Sequence, residues 1–111
     1  MKYHNKKIIY EGKTFASKKE FERYLMLKGM QNQGMIQDLQ TQVKYELIPA
    51  YYEVQGKKQV CIERSCNYYA DFVYKRNGKT IVEDTKGYHT KEYLIKRKLM
   101  LWIYGIQIEE T

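Results

Sequence analysis

Two adjacent acids and a lysine lie inside an apolar, strand-like segment of the chain. The segment reads VEDTKG, residues 82–87, and it contains Glu83, Asp84 and Lys86. A strand interior is a costly place for neighbouring carboxylates unless a partner group or a cation compensates their charge. Because side chains alternate between the two faces of a sheet, Glu83 and Asp84 must point in opposite directions. Only one of the two acids can therefore share a face with Lys86.

An Asn-Gly pair at residues 77–78 indicates which acid that is. Asn-Gly between two apolar runs is the strongest short-range hairpin pattern, and here it follows YYADFVYK and precedes KTIVEDTK. Counting outward from a two-residue turn places Asp71 opposite Asp84. These two side chains and Lys86 then share one face of the hairpin, and Glu83 lies on the other. A β-bulge would shift the register by one residue and bring Glu83 to this face instead.

The predicted pair of opposed acids has a specific chemical use. Directly opposed residues have Cβ atoms roughly 4.5–5.5 Å apart. Two carboxylates at that distance stay together only if one is protonated or a cation lies between them. Hard oxygen ligands suit Mg²⁺ or Mn²⁺, and the Lys86 ammonium could hold a water or stabilise charge on a reacting phosphate. The alternative is a solvated hairpin whose acids face water, which the apolar character of both strands disfavours.

A third acid, Glu20, lies at the start of the first predicted helix. Ser17 is followed three residues later by Glu20, which is the pattern of a capping box. Glu20 also shares a helix face with Tyr24 and Leu27, so it is predicted to point toward packed structure. Two roles stay open for this carboxylate. It either caps the helix or completes the metal site of the hairpin.

The elements that must position these side chains alternate in type along the chain. Two short strands precede a helix, four strands follow, and a second helix leads to a final strand. This order predicts one α/β or α+β domain, residues 1–111, with a mixed sheet flanked by helices. The helices are predicted from Ser17 to about Gln33 and from Thr90 to Gly105. The four middle strands are predicted at 43–49, 50–54, 67–75 and 79–86, with Tyr69 opposite Lys86.

The composition favours a polyanionic partner. The 111 residues include 20 Lys and Arg against 13 Asp and Glu, a net charge of +7. A compact basic domain is typical of nucleic-acid binding, although a solvated, charged surface is the alternative. No apolar run is long enough to span a membrane, and Cys61 and Cys66 lack the further ligands of a zinc site, so buried free thiols are expected. The lysines expected to contact DNA phosphates lie at the start of the first predicted helix and within the second: Lys18, Lys19, Lys91, Lys96 and Lys98.

Taken in order, these motifs resemble the PD-(D/E)XK nuclease superfamily. An acid on an early helix precedes an Asp and then (D/E)-x-K on adjacent strands. Over about residues 3–110 the chain is similar to a small phage-encoded family within that superfamily, through FASKKEFERYL, YYADFVY, VEDTKG and TKEYLIKRKLM. Two positions depart from the superfamily's name: Ala70 replaces the Pro before Asp71, and the (D/E) position is Asp84.

The resemblance implies a restriction-endonuclease-like core of element order αβββαβ and a metal-dependent DNA endonuclease. It implies that Asp71 and Asp84 hold Mg²⁺ or Mn²⁺ with the carbonyl of Thr85. Lys86 would serve the attacking water or the scissile phosphate, and Glu20 would take the place of the helix acid.

The resemblance also implies a biological setting. The expected process is phage DNA recombination, repair or packaging in the cytoplasm of the bacterial host, and resolution of Holliday junctions by a homodimer is one subtype. The alternatives are a non-catalytic nucleic-acid-binding module with a nuclease-like fold, and a structural or anti-host interaction protein. The opposed carboxylates favour the enzyme, because carboxylates repel phosphate and a simple binder has no use for them.

Overall fold

The computed structural model describes residues 6–86 and 88–111. The described part of the chain is a mixed α+β structure with the predicted order of elements and one additional strand. The elements are β1 (Ile8–Tyr10), β2 (Lys13–Phe15), α1 (Lys18–Asn32), β3 (Gln37–Ile48), β4 (Tyr51–Gln55), β5 (Lys58–Glu63), β6 (Cys66–Arg76), β7 (Lys79–Asp84), α2 (Lys91–Tyr104) and β8 (Glu109–Glu110).

A four-stranded mixed sheet forms the centre, in the order β3-β6-β7-β8. The first three strands are antiparallel neighbours, and β8 runs parallel to β7. Two clusters of buried side chains pack the helices against the sheet. One includes Tyr24 and Leu27 of α1 with Phe72, and the other includes Tyr93 and Met100 of α2 with strand residues. The helices therefore cover different sides of the sheet, and β7 is buried between them.

The β6–β7 hairpin has the predicted register. Asn77 and Gly78 both have positive φ angles, 52° and 76°, as a type I′ turn requires. Phe72 pairs with Glu83, and the ladder between the two strands contains no register shift. The bulge that would have brought Glu83 to the Asp71 face is therefore not formed.

Capping groups begin both helices where the sequence predicts them. The Glu20 N–H donates to Ser17 Oγ at 3.2 Å, and the Tyr93 N–H donates to Thr90 Oγ1 at 3.0 Å. The second half of the predicted capping box, a hydrogen bond from the Ser17 N–H to the Glu20 carboxylate, is replaced by a hydrogen bond from Gln42 of β3 to that carboxylate. A backbone hydrogen bond from Ala16 to the Glu20 carboxylate opposes the rise in the pKa of this acid.

Strand β6 does not keep strict alternation along its length. Tyr68 and Val73 belong to the same buried cluster, although a separation of five residues would place them on opposite faces of a regular strand. The alternation changes around Asp71. Gln42, which lies level with Asp71 in the neighbouring strand β3, has a left-handed backbone conformation with φ 52°. The alternation of β6 side chains between the two faces of the sheet is thus reversed after Asp71.

The hairpin of β4 and β5 extends away from the sheet. Every residue of β4 is exposed, and the molecule measures 57 × 42 × 28 Å with a radius of gyration of 17.0 Å. A compact domain of this length has a radius of gyration of about 13 Å. Cys61 and Cys66 are free as predicted, but Cys61 is exposed rather than buried, because β5 belongs to this arm. No helix within the described residues has the length and apolar character to cross a membrane.

Candidate functional site

Asp84 ends β7 with one carboxylate oxygen satisfied and the other not. Its residue exposure is only 1 %. The Tyr68 hydroxyl donates to Asp84 Oδ2 at 2.5 Å, whereas the buried Oδ1 has no hydrogen-bond partner within the described part of the chain. The nearest cation, Lys86 Nζ, lies 3.5 Å from Oδ1. A buried carboxylate oxygen without a donor is costly, and it is suited to a cation.

Asp71 lies beside Asp84 at the end of the hairpin pairing. The Thr85 N–H donates to Asp71 Oδ2 at 2.9 Å, and Gln42 Nε2 donates to Oδ1 at 3.2 Å. Burial, followed by the negative charge of Asp84, raises the pKa of Asp71 to about 7. The two carboxylates thus repel each other as the sequence predicted, and Asp71 holds a proton more tightly than an ordinary aspartate.

Glu20 joins these two acids from α1. Its carboxylate is buried, with 6 % exposure, and its Oε2 accepts from Gln42 Nε2 at 3.2 Å. Burial is the main cause that raises the pKa of Glu20, and the charge of Asp84 adds to it while Lys86 opposes it. We call Glu20, Asp71 and Asp84 the acidic cluster. It brings together three acids that are far apart in the sequence.

Lys86 is held between the acidic cluster and an aromatic ring. Its Nζ lies 3.5 Å from Asp84 Oδ1 and 4.5 Å from the centre of the Tyr93 ring. The side chain remains 30 % exposed. A fixed ammonium beside a carboxylate, with one side open to solvent, can bind a water or a phosphate oxygen.

Glu83 has a different environment on the α1 side of the sheet. It accepts from Arg23 Nε at 2.6 Å and from Arg23 Nη2 at 3.0 Å, and the Tyr74 hydroxyl donates to it at 2.6 Å. Burial, with this hydrogen bond, raises the pKa of Tyr74 to about 12. Glu83 is thus a fully partnered acid on the α1 side of the sheet, and Asp84 is the acid of this pair that lies beside Lys86.

Two open clefts meet at Lys86. The first has a volume of 540 Å³ and includes Lys19, Tyr88 and His89. The second has a volume of 230 Å³ and includes Tyr69 and Lys96. Cationic side chains therefore lie on both sides of the acidic cluster.

The predicted phosphate contacts divide between these clefts and the remaining surface. Lys19 lines the first cleft, and Lys96 lines the second, where its Nζ lies 3.5 Å from Glu92 Oε1. Lys18 is exposed and pairs with Glu22, Lys91 is exposed, and Lys98 lines a separate depression beside Arg97. Two of the five lysines thus line clefts that Lys86 also lines.

Sequence reasoning missed three side chains that shape the site. Tyr68 contacts Asp84, whereas regular alternation placed its neighbour Tyr69 on that face. Tyr93 supplies the ring under Lys86. Gln42 bridges Glu20 and Asp71, but it precedes the predicted start of the third strand. The sequence offers no pattern that would single out Gln42.

The donor set fits a magnesium-type ion. Among residues 6–86 and 88–111, no three or more His, Cys, Asp or Glu side chains are arranged to hold a metal together. Mg²⁺, however, is commonly bound through one or two carboxylates and keeps several waters. Asp71 and the unpartnered Oδ1 of Asp84 provide two such carboxylates.

Comparison with known proteins gives the family of the chain. A family model described as "Protein of unknown function (DUF1064)" matches residues 1–108. The chain belongs to the DUF1064 family. The search of curated proteins and the search of solved structures found no match.

Proposed function

We propose that this DUF1064 member is a metal-dependent DNA endonuclease that hydrolyses phosphodiester bonds with Mg²⁺ or Mn²⁺. The observation that carries the proposal is the buried Asp84 Oδ1, which has no hydrogen-bond donor among residues 6–86 and 88–111 and lies 3.5 Å from Lys86 Nζ. A structural carboxylate would have a partner for each oxygen, as Glu83 has. A carboxylate that binds a cation needs one oxygen free.

Each residue of the site has a role in this proposal. Bound metal would lower the pKa of a water and neutralise charge on the phosphate. Asp71 and Asp84 would hold the ion with the backbone carbonyl of Thr85. The Tyr68 hydroxyl fixes Asp84 through Oδ2 and leaves Oδ1 for the ion.

The two remaining charged groups act at the edges of the ion site. Lys86 would hold the attacking water or a phosphate oxygen, because its ammonium lies next to the cluster and has an open side. Glu20 would supply a further carboxylate from α1, either to the ion directly or to one of its waters.

The arrangement of elements supports a restriction-endonuclease-like core. Helix α1, the sheet strands β3, β6 and β7, helix α2 and strand β8 follow one another in the order αβββαβ. This is the order that the resemblance to PD-(D/E)XK nucleases implies. The acids also lie on the elements that the resemblance implies, with one on the first helix and two on adjacent strands.

The surface around the site supports a nucleic-acid substrate. Lysines line both clefts that meet at Lys86, and the chain carries a net charge of +7. Tyr88 is 77 % exposed in one cleft and Tyr69 is 51 % exposed in the other. Exposed aromatic rings stack on unpaired bases, so the proposed substrate is DNA with branched or unpaired segments, including four-way junctions. The proposal extends to a phage enzyme that acts, as a homodimer, in the host cytoplasm.

The proposal is tested by incubating the protein with linear, nicked, flapped and four-way DNA. Each substrate is tested with Mg²⁺, with Mn²⁺ and with EDTA, and Asp84→Asn and Glu83→Gln serve as matched variants. We expect cleavage with either metal, none with EDTA or Asp84→Asn, and retained cleavage by folded Glu83→Gln. DNA binding without cleavage of any substrate would contradict the proposal and favour a non-catalytic binding module. Cleavage that persists in EDTA would also contradict it.

A further inference from the structure

Gln42 has a backbone conformation that its residue type seldom adopts. It lies inside β3 with φ 52°, in the left-handed region that is unfavourable for residues with a Cβ atom. The strand pairs regularly with β6 on both sides, through Thr41 with Phe72 and Val43 with Ala70. The strain is therefore local to one residue, and strain of this kind is concentrated at functional sites.

The side chain of Gln42 reaches two acids of the cluster at once. Its Nε2 lies 3.2 Å from Glu20 Oε2 and 3.2 Å from Asp71 Oδ1. Glu20 comes from α1 and Asp71 from β6, which are different layers of the fold. Gln42 is itself exposed, so its amide covers this pair of carboxylates from the solvent side.

We propose that Gln42 is a positioning residue of the site, whose amide ties Glu20 to Asp71 and keeps both carboxylates directed toward Asp84. This inference rests on the proposed function, because it assigns Gln42 a task in metal binding. An amide is suited to the task, since its two N–H groups can donate to two carboxylates without adding charge. A lysine there would bind the same acids but would also repel a divalent cation.

The strained backbone follows from this role. In a regular strand, residue 42 would point to one face of the sheet and could not approach both an α1 carboxylate and Asp71. The left-handed turn at Gln42 redirects the side chain, and it lies opposite the place where β6 changes its alternation. The same irregularity brings Tyr68 to Asp84, so one distorted step in the β3–β6 pair serves two contacts of the site.

The experiment separates the amide from the backbone bend with two variants. Gln42→Gly removes the amide and relieves the strain, whereas Gln42→Ala removes the amide and keeps a Cβ at positive φ. Gln40→Ala is the matched control, because Gln40 is an exposed glutamine of the same strand that contacts none of the three acids. Mn²⁺ affinity is measured by calorimetry without DNA, and thermal melting, kcat and KM are measured alongside.

We expect both Gln42 variants to bind Mn²⁺ about tenfold more weakly, the lower end of the effect of removing a group that orients metal ligands. We expect kcat to fall by a similar factor while KM for DNA changes by less than about twofold, because the amide orients ligands and does not bind substrate. Gln42→Gly should melt about 4–8 °C above Gln42→Ala, since only the alanine is strained. Gln40→Ala should behave as the wild type.

Wild-type Mn²⁺ affinity and kcat in Gln42→Gly would overturn the inference and show that the bend alone matters. This failure is distinguishable from failure of the proposed function. If the wild type binds Mn²⁺ and Asp84→Asn does not, the metal site stands and only the role of Gln42 is lost. If the wild type binds no Mn²⁺, the proposed function and the role of Gln42 both fail.

Discussion

The two faces of β7 carry two adjacent buried carboxylates that differ in their hydrogen-bond partners. On the α1 side, Glu83 is fully buried and receives two hydrogen bonds from Arg23 and one from Tyr74. On the α2 side, Asp84 is equally buried, but one of its oxygens has no donor and its closest neighbours include a second acid. The same strand, at consecutive residues, builds one satisfied acid and one unsatisfied acid.

Under the proposed function, this difference separates an acid that stabilises the fold from an acid that binds the ion. A buried charge with a bidentate arginine is compensated, and loss of its partner is expensive. A buried acid next to another acid is a cost that the fold carries without a structural return. Of the two acids, Glu83 is therefore the one whose charge the fold already compensates, and Asp84 is the one that a cation would stabilise.

The largest expected effect comes from neutralising the α2-side acids. We predict that Asp84→Asn and Asp71→Asn each lower the cleavage rate by at least about 10³-fold, or about 4 kcal/mol of barrier. Because each variant removes one of two repelling carboxylates, stability in EDTA should be unchanged or higher. Single-turnover cleavage and thermal melting measure the two quantities. Full activity in either variant, or unfolding of both, would contradict the assignment.

The α1-side acid should show the reverse behaviour. We predict that Glu83→Gln lowers the free energy of unfolding by about 3 kcal/mol, because it leaves the Arg23 guanidinium without its charged partner. Cleavage per folded molecule should remain close to that of the wild type. Urea unfolding, with activity measured well below the transition, checks both statements. An inactive but stable Glu83→Gln protein would mean that the two faces have been assigned the wrong way round.

Lys86 is the residue that the proposed function places between the acidic cluster and the reacting phosphate. We predict that Lys86→Ala lowers turnover by about 10²-fold and leaves DNA affinity nearly unchanged, since the ammonium lies among acids and contributes little to general attraction. Lys79→Ala, at an exposed lysine at the opposite end of β7, is the control. Single-turnover rates and binding in Ca²⁺ measure the two effects. A parallel loss of binding and turnover would make Lys86 a simple phosphate anchor.

Glu20 is the acid that α1 contributes to the acidic cluster, and its role in metal binding can be tested separately from its place in the helix. Glu20→Gln keeps the length of the side chain but is a poorer ligand for a hard cation, so we predict a cleavage rate lower by on the order of 10²-fold with unchanged melting. Ser17→Ala is the complementary variant and should cost about 1 kcal/mol of stability with little effect on cleavage. Full activity in Glu20→Gln would reduce the centre to two carboxylates with backbone and water.

The pH dependence of stability gives the smallest effect. The pKa of Asp71 is raised to about 7 in the folded protein, so the folded state holds this proton more tightly than the unfolded state does. Its contribution is complete below about pH 4 and is lost as the pH rises to about 7. Without metal, we predict that stability falls over this interval by on the order of 1–2 kcal/mol, discounted for partial exposure.

Two comparisons isolate this contribution from other titrating groups. Asp71→Asn should remove it, so the difference between the melting curves of the variant and the wild type should shrink toward acid pH. Saturating Mn²⁺ should restore the stability of the wild type above pH 7. A difference that stays constant with pH would show that Asp71 titrates normally.

The sequence predicted those parts of the site that depend on local rules. The Asn77-Gly78 turn fixes the register of its hairpin, and this places Asp71, Asp84 and Glu83 without knowledge of the rest of the fold. The helical period places Glu20 toward the sheet, and Ser17 begins the helix. Each of these predictions needs only a turn type or a repeat that a few neighbouring residues determine.

The remaining contacts depend on pairs that are distant in the sequence. Arg23 meets Glu83 across 60 residues, and nothing in the sequence of α1 marks that arginine. The first half of β3 is polar and was not predicted as strand, because its pairing with β6 rather than its own composition stabilises it. Its left-handed residue at 42 and the contact of Tyr68 with Asp84 are features that no alternation rule can anticipate.

The most direct test of the central claim is a calorimetric titration of Mn²⁺ into the DNA-free protein. It is carried out at one pH on the wild type, Asp84→Asn and Glu83→Gln, with folding of each checked first. The account predicts that the wild type and Glu83→Gln bind the ion and that Asp84→Asn loses at least about tenfold in affinity. Binding that persists in Asp84→Asn and disappears in Glu83→Gln would contradict it.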